Sequence, residues 1–91
     1  MVKVESLSDE TIERRGIRSW PTWERGVSRF PWKYQETEVC YIIDGQVRIE
    51  TVDGNVEIEA GDFVTFPKGL ECTWDIRKPV RKHYTFEEPG K

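Results

Sequence analysis

The sequence predicts a single all-β domain, a sandwich or barrel, on three observations. The chain has 91 residues, a length that holds one core rather than two. From Val27 onward apolar and polar residues alternate with a period of two, through runs rich in Val, Ile, Thr, Phe, Tyr and Trp. Turn dipeptides punctuate those runs roughly every eight to ten residues, at Asp44-Gly45, Asp53-Gly54, Gly61-Asp62, Lys68-Gly69 and Lys78-Pro79. A hydrophobic fraction of 36% with 11 aromatic side chains closes a modest core and argues against disorder.

Charge narrows the partners. Fourteen basic residues against 17 acidic ones give a net charge of −3, which is no footprint for a nucleic-acid backbone or an anionic membrane. No stretch approaches the roughly 20 apolar residues of a membrane span, and the first residues lack the apolar segment of a secretory signal. The expectation is a cytoplasmic protein. Two cysteines, Cys40 and Cys72, are too few for a disulfide framework and suit a reducing compartment.

Residues 1–22 read as an appendage and 23–88 as the barrel. Ser8 is placed to cap a one- or two-turn helix over Asp9 to Arg15, with acids first, bases last and Gly16 closing it. Trp20-Pro21 and Trp23 then suit an extended segment that lays rings over a core.

The two Asp-Gly pairs predict hairpins, because type I′ turns need positive φ at both central residues. With Asp44 and Gly45 as a loop, Ile42 faces Val47 and Cys40 faces Ile49. Across Asp53-Gly54, Ile49 then faces Ile58 and Val47 faces Ala60. One face therefore collects Glu38, Cys40, Ile42, Val47, Ile49, Val56 and Ile58, while Arg48, Glu50, Glu57 and Glu59 take the other. The same parity carried backward puts Trp32, Tyr34 and Glu36 inside. Cys72, Trp74 and Ile76 share a face, and on the last strand Tyr84 points in and His83 out. The basic group Arg77, Lys78, Arg81 and Lys82 reads as a solvated guard of a strand edge.

Two stretches carry a resemblance. Gly26, Trp32, Tyr34, Glu38 and Gly45 have the spacing of the first cupin motif, with Trp32 and Tyr34 where that motif has histidines. Gly61, Pro67, Gly69 and Cys72 have the spacing of the second, with Cys72 in place of its histidine. Through Val80 to Tyr84 the chain resembles the small single-domain cupins grouped with ureidoglycine aminohydrolases and the ethanolamine-utilisation cupin. The resemblance implies a double-stranded β-helix, or jelly-roll barrel, with a pocket in its mouth and often a homodimer. It also implies a three-His, one-Glu metal centre, of which Glu38 alone is present here. Imidazoles and carboxylates are the ligands such a centre needs, so no metal cofactor is expected.

The candidate catalytic residues are Glu38, Cys72 and Tyr34, walled by Trp32, Trp74 and Tyr84. An inward carboxylate is costly without a partner, and Lys82 is its candidate. Cys72 gains its standing from the cupin ligand position, yet beside a carboxylate it makes a poor thiolate. The aromatic residues serve equally as core or as the wall of a pocket. His83, alone on a polar face, reads as a surface residue. Two functions stay open: an enzyme or enzyme-like protein that takes a small polar metabolite without metal, and a non-catalytic binding or dimerising β-module. A metal-dependent aminohydrolase is a third. An open cavity at Glu38 would favour the first and a filled barrel the second.

Overall fold

The computed structural model describes residues 1–87, so Glu88, the last residue of the expected barrel, lies outside the described residues. Strands β1 (Lys3–Ser6), β2 (Thr22–Arg25), β3 (Ser28–Lys33), β4 (Thr37–Thr51), β5 (Gly54–Glu59), β6 (Asp62–Phe66) and β7 (Glu71–Glu87) pair antiparallel throughout. One helix, α1 (Asp9–Arg14), and a short 3-10 turn (Ile17–Ser19) stand outside the strands. No helix of the described residues is long and apolar enough to cross a membrane.

The frame is a ribbon of the two long strands, β4 and β7, paired from Thr37 with Glu87 to Glu50 with Thr73. Both bend midway, and each half then pairs on its free edge with a different neighbour. The first half of β4 joins β6, which joins β1, while the second half of β7 joins β2. The second half of β4 joins β5 and the first half of β7 joins β3. One folded ribbon thus supplies two facing walls, and their inward side chains make the core.

Asp44-Gly45 does not form the expected hairpin. β4 runs through it, so Ile42 pairs with Lys82 and Val47 pairs with Ile76 and Ile58. A two-residue turn would need positive φ at Asp44 as well, and among the described residues positive φ occurs at glycines only. Gly45, at φ 113°, instead sits in a run of register shifts against β7. A Cβ there would stand 2.6 Å from the Pro79 carbonyl oxygen and 2.7 Å from Val80 Cα, so only glycine allows the strands to meet at the bend. Lys78-Pro79, also expected as a turn, is the matching bend in β7. An irregularity in register flips side-chain parity much as a two-residue turn does. Hence Glu38, Cys40, Ile42, Val47, Ile49 and Ile58 are buried together, as expected, although the chain does not reverse.

The second Asp-Gly pair does turn the chain, one residue earlier than expected. Val52 and Asp53 are the loop, Thr51 pairs with Gly54, and Thr51 Oγ1 accepts from Asp53 N at 3.1 Å. Ile49 therefore meets Val56 rather than Ile58, and Ala60 is exposed rather than paired with Val47. The shift is even in register, so the apolar face is preserved.

The appendage is part strand and part helix. Ser8 Oγ accepts from Thr11 N at 3.1 Å, and Gly16 takes the left-handed conformation at φ 65°. Ile12 and Ile17 pack with Val39 and Phe63 on the outer face of the first wall, and Trp20 lies against Phe63 at 6.3 Å between ring centroids. Val39 and Phe63 lie on the side opposite the inner face, so the appendage gives that wall a second, smaller core.

Candidate functional site

Where the walls separate, the bend and the strand period aim four polar or aromatic side chains into one volume. β4 sends in Glu38, β7 sends in Trp74 and Lys82, and the segment after β3 sends in Tyr34. Lys82 Nζ donates to Glu38 Oε2 at 2.5 Å, and the two residues are 5% and 6% exposed. Lys82 is therefore no member of a solvated edge guard, because its parity on β7 turns it inward, away from Arg81. The ammonium lies 4.8 Å from the Trp74 ring centroid, 5.0 Å from Trp23 and 5.9 Å from Tyr84. A buried charge is tolerated when paired, and the three ring faces add cation–π attraction.

Tyr34 is held at both ends. Its backbone N–H donates to Leu70 O and its carbonyl accepts from Gly69 N, tying it to the turn before β7. Its ring stacks on Phe66 at 4.7 Å and 7°, and its hydroxyl accepts from Trp74 Nε1 at 3.1 Å. Burial, reinforced by the Glu38 carboxylate, pushes its pKa well above the ordinary tyrosine range, so the hydroxyl stays protonated.

These groups border an open cavity of about 280 Å³. Glu38, Lys82, Tyr34 and Trp74 lie at its base, and Trp23, Phe30 and Tyr84 at its sides. Trp32, Phe86 and Arg25 border its mouth, with Trp32 52% exposed. Six of the seven expected site residues, Glu38, Tyr34, Trp32, Trp74, Tyr84 and Lys82, therefore meet here. Cys72 does not line the cavity; it packs in the same core cluster as Trp74 and Tyr34. Burial, then the nearby Glu38 carboxylate, push the Cys72 thiol up to about 11, with Lys82 opposing. Burial likewise pushes Cys40 up to about 12, and both cysteines are free thiols.

Sequence reasoning missed Trp23, Arg25, Phe30 and Phe86. Phe30 and Phe86 were within reach, since each stands two residues from a chosen aromatic on the same strand. Trp23 and Arg25 enter from β2 through its pairing with Lys82 and Val80, which no local pattern reveals. Trp32 was expected inside and instead stands at the rim. Glu36, also expected inside, is exposed, because the strand period lapses between β3 and β4. His83 faces away as expected, with Nδ1 3.0 Å from the Trp20 carbonyl oxygen.

The donors present do not fit a divalent metal. Glu38 already carries the Lys82 ammonium, and no three His, Cys, Asp or Glu cluster among the described residues. Lys82 supplies a positive charge beside the carboxylate of the cupin motif.

A bent-ribbon jelly roll with a cavity in its mouth is the cupin architecture. Within that class the chain belongs to the EutQ-like cupin domain family, whose model matches residues 12–84. It is similar to a DUF861 family protein from Thermotoga maritima, at 46% identity and TM-score 0.92, covering 96% of this chain and 100% of that one. Clostridium difficile EutQ is similar at 21% identity and TM-score 0.68, over 99% of this chain and 70% of that one. A putative ethanolamine utilization protein Q from Salmonella typhimurium follows at 19% identity and TM-score 0.64, over 91% and 66%. The last two likenesses are of fold alone. Among curated proteins, none matches this chain.

Proposed function

We propose that this cupin binds a small metabolite in the barrel mouth and carries its own cation there in place of a metal ion. The observation that carries the reading is the buried Lys82–Glu38 pair at the base of an open, aromatic-walled cavity. Its volume of about 280 Å³ lies at the small end of ligand pockets, which suits a metabolite with one ring or a short chain. A filled barrel would have supported the non-catalytic module; an open cavity at Glu38 supports a site.

The chemistry on offer is proton handling. The Glu38 carboxylate accepts a proton, the Lys82 ammonium donates one, and the Tyr34 hydroxyl, already accepting from Trp74, has its own proton to donate to a ligand. Cys72, as a neutral thiol outside the cavity lining, offers no nucleophile. The two free thiols support a reducing compartment.

A metabolite screen by thermal shift tests the reading on wild type, Trp32→Ala and Glu38→Gln. Trp32 is half exposed, so its loss should leave the unliganded melting temperature nearly unchanged, within about 0.5 kcal/mol of stability. Most of a hit's stabilisation should vanish in that variant, because stabilisation follows binding to the folded state. Hits that stabilise all three proteins equally would place binding elsewhere and return the barrel to a packed module.

A further inference from the structure

Three charged side chains border the cavity, and two of them cancel. Lys82 and Glu38 are bonded to each other, which leaves Arg25 as the net charge of the site. Among the described residues Arg25 makes no ion pair, while its neighbour Glu24 is engaged by Arg81 at 3.7 Å. The mouth is thus positive on a chain whose formal charge is −3.

The guanidinium is also positioned. Its Cζ lies 3.9 Å from the Phe30 ring centroid, Phe30 stacks on Trp74 at 11°, and Trp23 closes edge-on against both rings. With its Cζ over the ring, the guanidinium has N–H donors that make no side-chain hydrogen bond or ion pair among the described residues. Those donors form a fork that matches a carboxylate, with little side-chain freedom left to lose on binding. Beside the fork stand flat apolar walls, including Phe30 and the exposed Trp32 and Phe86.

From this we infer that the ligand is a small aromatic carboxylate, its anionic end on Arg25 and its ring among the mouth aromatics. The inference rests on the small-molecule reading of the cavity and specifies its chemistry. A cationic ligand meets a positive mouth and finds Glu38 already taken. A dianion finds one free guanidinium only.

Three of the four tryptophans, Trp23, Trp32 and Trp74, border the cavity, so intrinsic fluorescence reports on it. The test is a titration of wild type and Arg25→Gln with benzoate, benzamide and benzylamine, which share a ring and differ in the end group. Benzoate should bind about tenfold or more tighter than benzamide, because the guanidinium meets the carboxylate through two bonds and opposite charge but meets the amide through one neutral acceptor, and benzylamine should not saturate. Arg25 is exposed, so Arg25→Gln should stay folded and should bind benzoate no more tightly than benzamide. Benzamide or benzylamine binding as tightly as benzoate would overturn the ligand class and leave the cavity reading standing. The ligand class falls in the same way if none of the three saturates while the thermal-shift screen finds a hit of other chemistry. A preference for benzoate that survives in Arg25→Gln would overturn the anchor. If no probe saturates and the screen finds no hit, both readings fall.

Discussion

At one end of the barrel interior Val47, Ile49, Ile58 and Ile76 are each 2% exposed or less; at the other, Glu38, Lys82, Tyr34 and Trp74 surround open space. Both regions draw on the inward faces of β4 and β7, with Ile58 added from β5 and Tyr34 from the segment after β3. The difference lies in side-chain shape and in what each residue needs. Branched aliphatic side chains interdigitate and fill the space between walls at crystal-like density. Rings held by stacking and by a Trp-to-Tyr hydrogen bond keep fixed planes and cannot collapse onto one another. Lysine and glutamate at the base of the cavity demand each other, so the open end is held by directional bonds where the closed end is held by contact.

That contrast predicts which substitutions hurt and how. The largest effect is expected at the base of the cavity: Lys82→Met leaves the Glu38 carboxylate buried without its cation and should cost about 3–5 kcal/mol in urea denaturation. Replacing the pair together, Glu38→Leu with Lys82→Met, should recover most of that loss, because an apolar pair avoids the desolvation of two ions. A cost under about 1 kcal/mol for the single variant would make the pair a solvated one and erase the contrast.

At the closed end Ile49→Ala should cost roughly 3 kcal/mol, through lost transfer energy and the cavity left behind. It should leave ligand stabilisation in the thermal-shift screen intact. A loss of ligand response there would show that the two ends are coupled, with the filled end setting the width of the mouth.

The smallest effect is on the pH profile. Cys72 and Cys40 have folded pKa values raised from 9.0 to about 11 and about 12, chiefly by burial. A raised pKa contributes stability that is present in full below pH 9 and lost as pH rises through the folded values, because the unfolded chain ionises first. Burial raises Tyr34 in the same direction. Urea midpoints should therefore fall above pH 9, and fall less in a Cys40→Ala, Cys72→Ala variant. Equal slopes would mean the thiols are not desolvated. At neutral pH a thiol titrating near 11 rather than 9 carries about a hundredfold less thiolate, so alkylation of folded Cys72 should be slower by a comparable factor.

Much of the inner face is legible in the sequence. The alternation around Glu38, Cys40 and Ile42 and around Cys72, Trp74 and Ile76 names it, because a side chain in a strand has only two sides to choose from. Glu38, as an inward carboxylate, requires a cation, and Lys82 on the last strand is the one its parity offers. Ser8 names its helix start by capping chemistry that acts within four residues.

What only the tertiary structure decided involves groups distant in sequence. Asp44-Gly45 suits a turn or a bulge by its local preferences; the bulge wins because Pro79 and Val80 of β7 come within a Cβ's reach of Gly45. Cys72 shares the face of the site residues by parity, yet packs in the core without lining the cavity, because a face is wider than a cavity. Arg25 is placed at the mouth by the pairing of β2 with β7, between segments more than fifty residues apart. Periodicity tells which way a side chain points from its own backbone; what it meets there is set by strands that local sequence does not see.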